Sequence, residues 1–353
     1  MSSMTGLERV MTTLRHREPD TVPHFERVAK RVREAVLPGS SEEDFVEHMD
    51  LDGLRFIDRT HSWSYEIVDP AQRIKRDQWG GLVRYTTEDN PVSMEPAVKS
   101  EQDLDGYDLP DPDLPWRYEY LQQVVKRFKG ERAIVVGVTD VFALGRENLL
   151  GDVAYFRAMV KNPEFIDRVN EIALDYQLRF IENCIDLGVD LLWIGGDWAM
   201  TEKPMVSRRF TERFLAPPLK KLIDYAHSRG VPCIKHTDGN IWPIHDLIID
   251  TGIDGLHPID PMAGMDIGKA KATFGGRVCL CGNVSCAFSL VSGTVEEVRQ
   301  ETREVIRKAG QGGGFICTSS NSIHSGVKPE NYVAMVKAIR EFGRYPLDLE
   351  GPT

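Results

Sequence analysis

From about residue 117 onward the chain alternates between short apolar runs and longer stretches with helical spacing. The apolar runs are AIVVGVT (133–139), DLLWIGG (190–196), PCIKHT (232–237), DGLHPI (254–259), RVCLCGN (277–283) and GGFICTS (313–319). Helical spacing covers about 117–129, 151–159, 162–187, 207–229, 240–251, 294–309 and 328–342. This order predicts parallel strands joined by crossover helices. The helix ends carry their own signals. Asn162 before Pro163 reads as a cap with proline at the first helical position, and Gly188 closes that helix. Ser207 can cap the helix that Gly230 ends, and Thr294 with Glu297 reads as a capping box.

The stretch from about 50 to 118 has a broken texture: Asp69-Pro70, Gly80-Gly81, Asn90-Pro91, Asp105-Gly106 and the run LPDPDLP at 109–115 mark turns and extended connectors. Trp63, Tyr65, Trp79 and Tyr85 stand among polar residues, as in short antiparallel strands. Helices are expected at about 4–16, 26–37 and 41–48. The chain therefore reads as one domain over 1–353, with an N-terminal elaboration over 1–118 and the main βα repeats over 119–346. Neither a G-x-G-x-x-G following the first strand nor a Walker motif is present. About eight βα units in roughly 300 residues predict a (β/α)8 TIM barrel, with a doubly wound sheet as the alternative.

Charge and composition narrow the function classes. The chain carries 43 Lys and Arg against 54 Asp and Glu, a net charge of −11, which argues against a nucleic-acid partner that needs a concentrated basic face. No run of about 18 apolar residues occurs, so no transmembrane helix is expected. The opening MSSMTGLERVMTTLRHREPD lacks the apolar core of a secretory signal, and the cytoplasm is the expected location. Cys184, Cys233, Cys279, Cys281, Cys286 and Cys317 include no Cys-x-x-Cys pair and read as buried free thiols. Cys279 and Cys281 lie inside one strand, where small apolar filling of a barrel is their expected use.

In a βα barrel the chemistry lies at the C-terminal ends of the strands. Six successive ends here offer a polar group: Thr139-Asp140, Asp197, His236 with Asp238, His257 with Asp260, Asn283, and Ser320-Asn321. Thr139, Asn283 and Ser320 also suit ordinary capping or turn roles. Asp197 does not, because the next helix starts near Ser207. His236 and Asp238 are two residues apart at a strand end, so their side chains leave one face and can meet one ligand or one metal ion. His257 could complete such a set, or Asp238 could instead bond the following turn and orient a neutral His236. His324, in the loop Ser322-Ile323-His324-Ser325, suits a lid residue or polar surface equally.

At these residues the chain resembles the uroporphyrinogen decarboxylase superfamily, and its corrinoid-dependent methyltransferase branch more than the true decarboxylases. The opening GLERVMTTLRHREPDTVP looks like the superfamily's start. The segment from KHTDGN to CLCGNV looks like its His-x-Cys-Gly-Asn segment with the following strand and helix, and GGGFICTSSNSIHSGVKPENY is similar to its last strand and helix start. The resemblance implies a (β/α)8 barrel with its cleft at the C-terminal mouth. The decarboxylases' Arg-Gln-x-Gly-Arg segment is missing, its place taken by VPHFERVAKRVREAV with Arg27, Arg31 and Arg33. The methyltransferase branch binds zinc through a His, a Cys two residues later and a Cys after the last strand. Here those positions hold His236, Asp238 and, on or near the third, Asn321, so any zinc site would be harder and weaker, or absent.

The first expectation is a methyltransferase that moves a methyl group between a small methylated compound, such as an O-methyl ether, and the cobalt of a partner corrinoid protein. Asp197, His236 and Asp238 are its expected catalytic residues, with His236 and Asp238 as metal ligands. Asp140, His257, Asn283, Asn321 and His324 are expected to line the substrate site. The alternatives are decarboxylation of a carboxylated pyrrole or aromatic acid, with no cofactor, and a tetrapyrrole-binding barrel that catalyses nothing. A homodimer is compatible with the sequence but not required by it.

Overall fold

The computed structural model describes residues 4–57, 66–85 and 91–348. Trp63, Tyr65 and Asn90 lie outside the described residues. The strands, in chain order, are β1 (Gly53–Ile57), β2 (Glu66–Asp69), β3 (Ile74–Arg76), β4 (Leu82–Arg84), β5 (Val92–Glu95), β6 (Ala133–Thr139), β7 (Leu191–Gly195), β8 (Cys233–His236), β9 (Gly255–His257), β10 (Cys279–Val284) and β11 (Phe315–Ser319). Seven of them form one parallel sheet in the order β1-β6-β7-β8-β9-β10-β11. The four strands β2 to β5 form a separate antiparallel sheet, as the broken texture of the first third suggests.

An extended segment closes the parallel sheet into a barrel. The Asp52 N–H donates to the His24 carbonyl at 2.8 Å on the β1 side, and the Cys317 N–H donates to the Pro23 carbonyl at 3.1 Å on the β11 side. Ile323 and Ala29 continue the connection, with the Ile323 N–H on the Arg27 carbonyl and the Ala29 N–H on the Ile323 carbonyl. Residues 22–29 therefore occupy the eighth stave of a (β/α)8 barrel. The helix expected over 26–37 accordingly begins only at Lys30, because Glu26, Arg27 and Val28 are drawn into this closure.

Side-chain alternation along each strand sorts the interior from the helix layer. Ala133 and Val135, Leu191 and Trp193, Ile234, Cys279 and Cys281, and Ile316 pack together with Phe25 as the barrel interior. Their neighbours Ile134, Val136, Leu192, Ile194 and Leu280 face the surrounding helices. Both cysteines thus serve as compact apolar filling, and burial pushes the Cys281 thiol well above its ordinary pKa. The helix Gly6–Leu14 plugs the bottom with Val10 and Leu14. It comes so close to β1 that a Cβ on Gly6 would lie 2.6 Å from the Asp52 carbonyl oxygen.

Two departures from the expected helices have local causes. The helix expected over 207–229 contains a π-turn at Thr211–Leu215. Pro217 and Pro218 have no N–H to donate to the preceding turn. The freed Phe214 carbonyl instead accepts from the amide of buried Asn170 at 3.2 Å. The helix expected over 240–251 is reduced to His245–Ile249, since Pro243 interrupts its start. A further helix, Ile267–Phe274, capped by Asp266, was not foreseen from the spacing.

Candidate active site

The face that lines the barrel continues upward to the mouth. Two residues beyond Ile234 on that face is His236, and beyond Trp193 come Gly195 and then Asp197. Strand register sets His236 directly beside His257 of β9. Glycine is required at two positions here. A Cβ on Gly196, whose φ is +136°, would lie 2.4 Å from the Asp140 carboxylate, and one on Gly239 would lie 2.6 Å from the Ala199 backbone. These close approaches let the loops after β7 and β8 meet.

At the meeting point Asp197, His236 and Asp238 each offer a ligand atom, all within 4.8 Å of one another. Nε2 of His236 lies 3.7 Å from an Asp197 oxygen and 3.7 Å from Oδ1 of Asp238. The Asp238 N–H donates to the Asp197 carboxylate at 2.9 Å, and the Gly239 N–H donates to Asp260 at 3.0 Å, which fixes the loop. Asn321 donates from its amide to Oδ2 of Asp238. The other oxygen, Oδ1, is buried with no hydrogen-bond partner among the described residues.

The hydrogen bonds assign the imidazole tautomers. Nε2 of His257 faces the Ser319 carbonyl at 3.3 Å, so it carries the proton and Nδ1 keeps a lone pair. Nδ1 of His236 lies 2.7 Å from Nδ1 of His257 and therefore donates to it. Nε2 of His236 is left with a lone pair, directed toward the two carboxylates. Burial lowers the pKa of both imidazoles and keeps them neutral. Burial also raises the pKa of Asp238, with the neighbouring charges of Asp197 and Asp260 adding to it.

A lone pair, an unpartnered carboxylate oxygen and a second carboxylate in one place require a cation or a proton. The donor set of one nitrogen and two carboxylates suits a divalent ion. Donors around a tetrahedral zinc stand about 3.4 Å apart, close to the spacings found here. The chemistry of the three residues thus fits a metal ion, and equally fits a protonated Asp238 acting as an acid.

Five of the eight expected site residues come together: the three above, His257 behind His236, and Asn321 on Asp238. Asp140 is 1% exposed and accepts from the Ala143 N–H, Trp198 Nε1 and Lys235 Nζ, at 2.7, 2.7 and 2.8 Å. Asn283 is buried and donates to the Ile259 carbonyl at 2.8 Å. His324 bonds the Cys286 carbonyl and the Gly326 N–H. Lys235 was not anticipated, although a lysine inside the apolar run PCIKHT is its visible signal. Its ammonium binds Asp140 and the carbonyls of Gly196 and His236, tying the ends of β7 and β8 together.

A cavity of about 1210 Å³ opens between the mouth and the antiparallel sheet, reaching Trp193, Gly195 and Gly196 beside Asp197. A model described as uroporphyrinogen decarboxylase (URO-D) matches residues 75–342. The chain belongs to the URO-D family. Among its relatives, the uroporphyrinogen decarboxylase of Nitrosococcus oceani is 24% identical over 269 residues, covering 74% of this chain and 73% of that one. The enzyme of the same name from Alkalilimnicola ehrlichii is 24% identical over 276 residues, covering 75% and 73%. Among solved structures, a methyltransferase from Methanosarcina mazei superposes with a TM-score of 0.76 at 19% identity, over 96% of this URO-D family member and 99% of that chain. At that identity the likeness shows the shared barrel. Among the described residues no helix is long and apolar enough to cross a membrane.

Proposed function

We propose that this URO-D family member is a methyltransferase, moving a methyl group between a small methylated compound and the cobalt of a partner corrinoid protein. The observation that carries the reading is the lone pair of His236 Nε2 held against Asp238 and Asp197, the latter next in the chain to Gly196, which lines a large cavity. The likeness in fold to the Methanosarcina mazei methyltransferase supports it.

Cleavage of a methyl–oxygen bond leaves an electron pair on oxygen, which must be stabilised by a proton or a Lewis acid. Asp238, its pKa raised by burial, can hold that proton on Oδ1 and deliver it to the leaving oxygen. Asn321 holds the opposite oxygen and orients the carboxyl. Asp197 stays at the mouth, 37% exposed, where it can orient the substrate. Where a divalent ion is bound, His236, Asp197 and Asp238 would hold it, and the ion would polarise the same oxygen. The test is to mix the protein with a reduced corrinoid protein and O-methyl donors and follow the cobalamin spectrum. Conversion to the methylated form is expected, and an unchanged spectrum with every donor sinks the reading.

Decarboxylation remains as a second reading because the curated relatives carry that name. The cavity lining argues against an octacarboxylate such as uroporphyrinogen. Arg27, Lys30, Arg33, Arg55, Arg146 and Arg157 are offset by four acids, Glu42, Asp77, Glu147 and Asp152. Eight carboxylates need a far more basic cleft. Incubation with uroporphyrinogen and chromatography of the products distinguishes the two readings.

A further inference from the structure

Arg55 is a charged side chain that the chemistry above does not use. It stands on β1, in the apolar run Leu54-Arg55-Phe56, and its side chain reaches the cavity floor. The guanidinium carbon sits 4.3 Å from the ring centre of Trp193. Stacking on an indole places the plane of the guanidinium and leaves its edge, with the N–H donors, available to a planar acceptor.

Nothing among the described residues accepts from that edge. Nε of Arg55 is buried without a hydrogen-bond partner, and among the described residues no ion pair joins Arg55 to a carboxylate. Glu26 is near enough for its charge to be felt but is occupied, accepting the Ser319 N–H at 2.7 Å. Nε1 of Trp193 is also buried without an acceptor. The guanidinium of Arg27 adds a second positive charge at the same end of the cavity, and burial with this repulsion pushes the Arg55 pKa down to about 9. A half-buried cation with unused donors, facing a cavity and repelled by a like charge, is the arrangement of a receptor awaiting an anion.

We propose that Arg55 anchors a carboxylate of the substrate in this cavity, held edge-on by the guanidinium above Trp193. The inference rests on the reading that this cavity is the substrate site, and it narrows the substrate class to acids. Trp193 lies 6.4 Å from the His236 ring, centre to centre, so an acid of single-ring size bound at Arg55 can extend toward the cluster of Asp197, His236 and Asp238. The carboxylate serves as a handle and is not itself transformed. Arg55 is in this sense a specificity determinant.

The test uses the full chain with two probes of equal shape, benzoate and benzamide, in equilibrium dialysis at neutral pH with a chelator present. The chelator keeps any metal at His236 from contributing. Benzoate is expected to bind at least about tenfold more tightly than benzamide, as a hydrogen bond to a charged partner implies. Arg55→Gln should abolish the preference, and Arg55→Lys should restore it only in part, because a point charge cannot make the paired bonds. If Arg55→Gln does not fold, phenylglyoxal modification of the unaltered protein replaces it, with benzoate expected to protect Arg55 in the peptide map. Equal affinity for the two probes overturns the proposal. So does failure of benzoate to bind, a preference that survives Arg55→Gln, or absence of protection. No corrinoid or methyl donor is present, so a failure of the methyltransferase reading is scored separately.

Discussion

Nδ1 of His236 and Nδ1 of His257 lie 2.7 Å apart and share one proton, which His257 can accept only because its own Nε2 proton is committed to the Ser319 carbonyl. A backbone carbonyl on β11 thereby dictates which nitrogen of a histidine on β8 presents a lone pair to the mouth. His257 is a positioning residue, fully buried and out of reach of substrate. Replacing it with phenylalanine should leave the barrel folded and free His236 to adopt either tautomer. Zinc or cobalt affinity is expected to fall by about 10- to 100-fold, the usual cost of losing the group that orients a metal-bound histidine. Metal titration of the two proteins checks this.

Proton release should accompany metal binding. His236 is held neutral by burial and has no proton to lose on Nε2, whereas Asp238 holds one because its pKa is raised. Binding should therefore release protons at neutral pH, the number falling toward zero as pH rises and Asp238 ionises beforehand. Affinity should weaken as pH drops, since the proton competes for the same oxygen. Calorimetry in buffers of different ionisation enthalpy measures both effects, and Asp238→Asn should remove the proton release.

Glu26 gives a test of stability. Burial raises its pKa to about 7, from the 4.5 of an ordinary glutamate, with the Ser319 N–H opposing the shift. The folded protein then binds more protons than the unfolded chain between these values, so stability falls as pH rises through that window. The total loss is about 3 kcal/mol by this linkage. Glu26→Gln should flatten that dependence and leave the protein more stable than its parent above pH 7. Urea unfolding at a series of pH values would show it.

The Asp140–Lys235 pair is buried on both sides, with side chains 1% and 0% exposed and 2.8 Å between the charged atoms. Removing one partner leaves the other charge buried and unpaired. Asp140→Asn should cost about 3–5 kcal/mol. A double variant adding Lys235→Met should recover part of that loss. Unfolding midpoints of the single and double variants test this coupling.

The barrel and most of its helices were legible because alternation and helical spacing are local properties. The runs from Ala133 to Ser319 each became a strand, and Asn162, Ser207 and Thr294 cap the helices they were expected to cap. The eighth stave was not legible. Residues 22–29 are extended only because β1 and β11 supply partners from opposite ends of the chain, a long-range cause that overrides the local helical spacing of 26–37. The convergence of Asp197, His236 and Asp238 was legible from strand-end position. Asp140 was read as a rim residue, yet it faces inward to Lys235 and Trp198, because a carboxylate at a strand end serves capping and pairing as readily as catalysis. Arg55 escaped notice since a single arginine in an apolar run shows neither its aromatic platform nor its missing partner.

The lone pair of His236 and the two carboxylates are expected to act as one binding site. Titration of the chelator-treated protein with zinc, followed by elemental analysis after dialysis, tests this most directly. The expected result is one equivalent per chain in the unaltered protein, lost when His236→Ala and Asp238→Asn are combined. A double variant that binds the same equivalent of zinc as its parent would contradict the account.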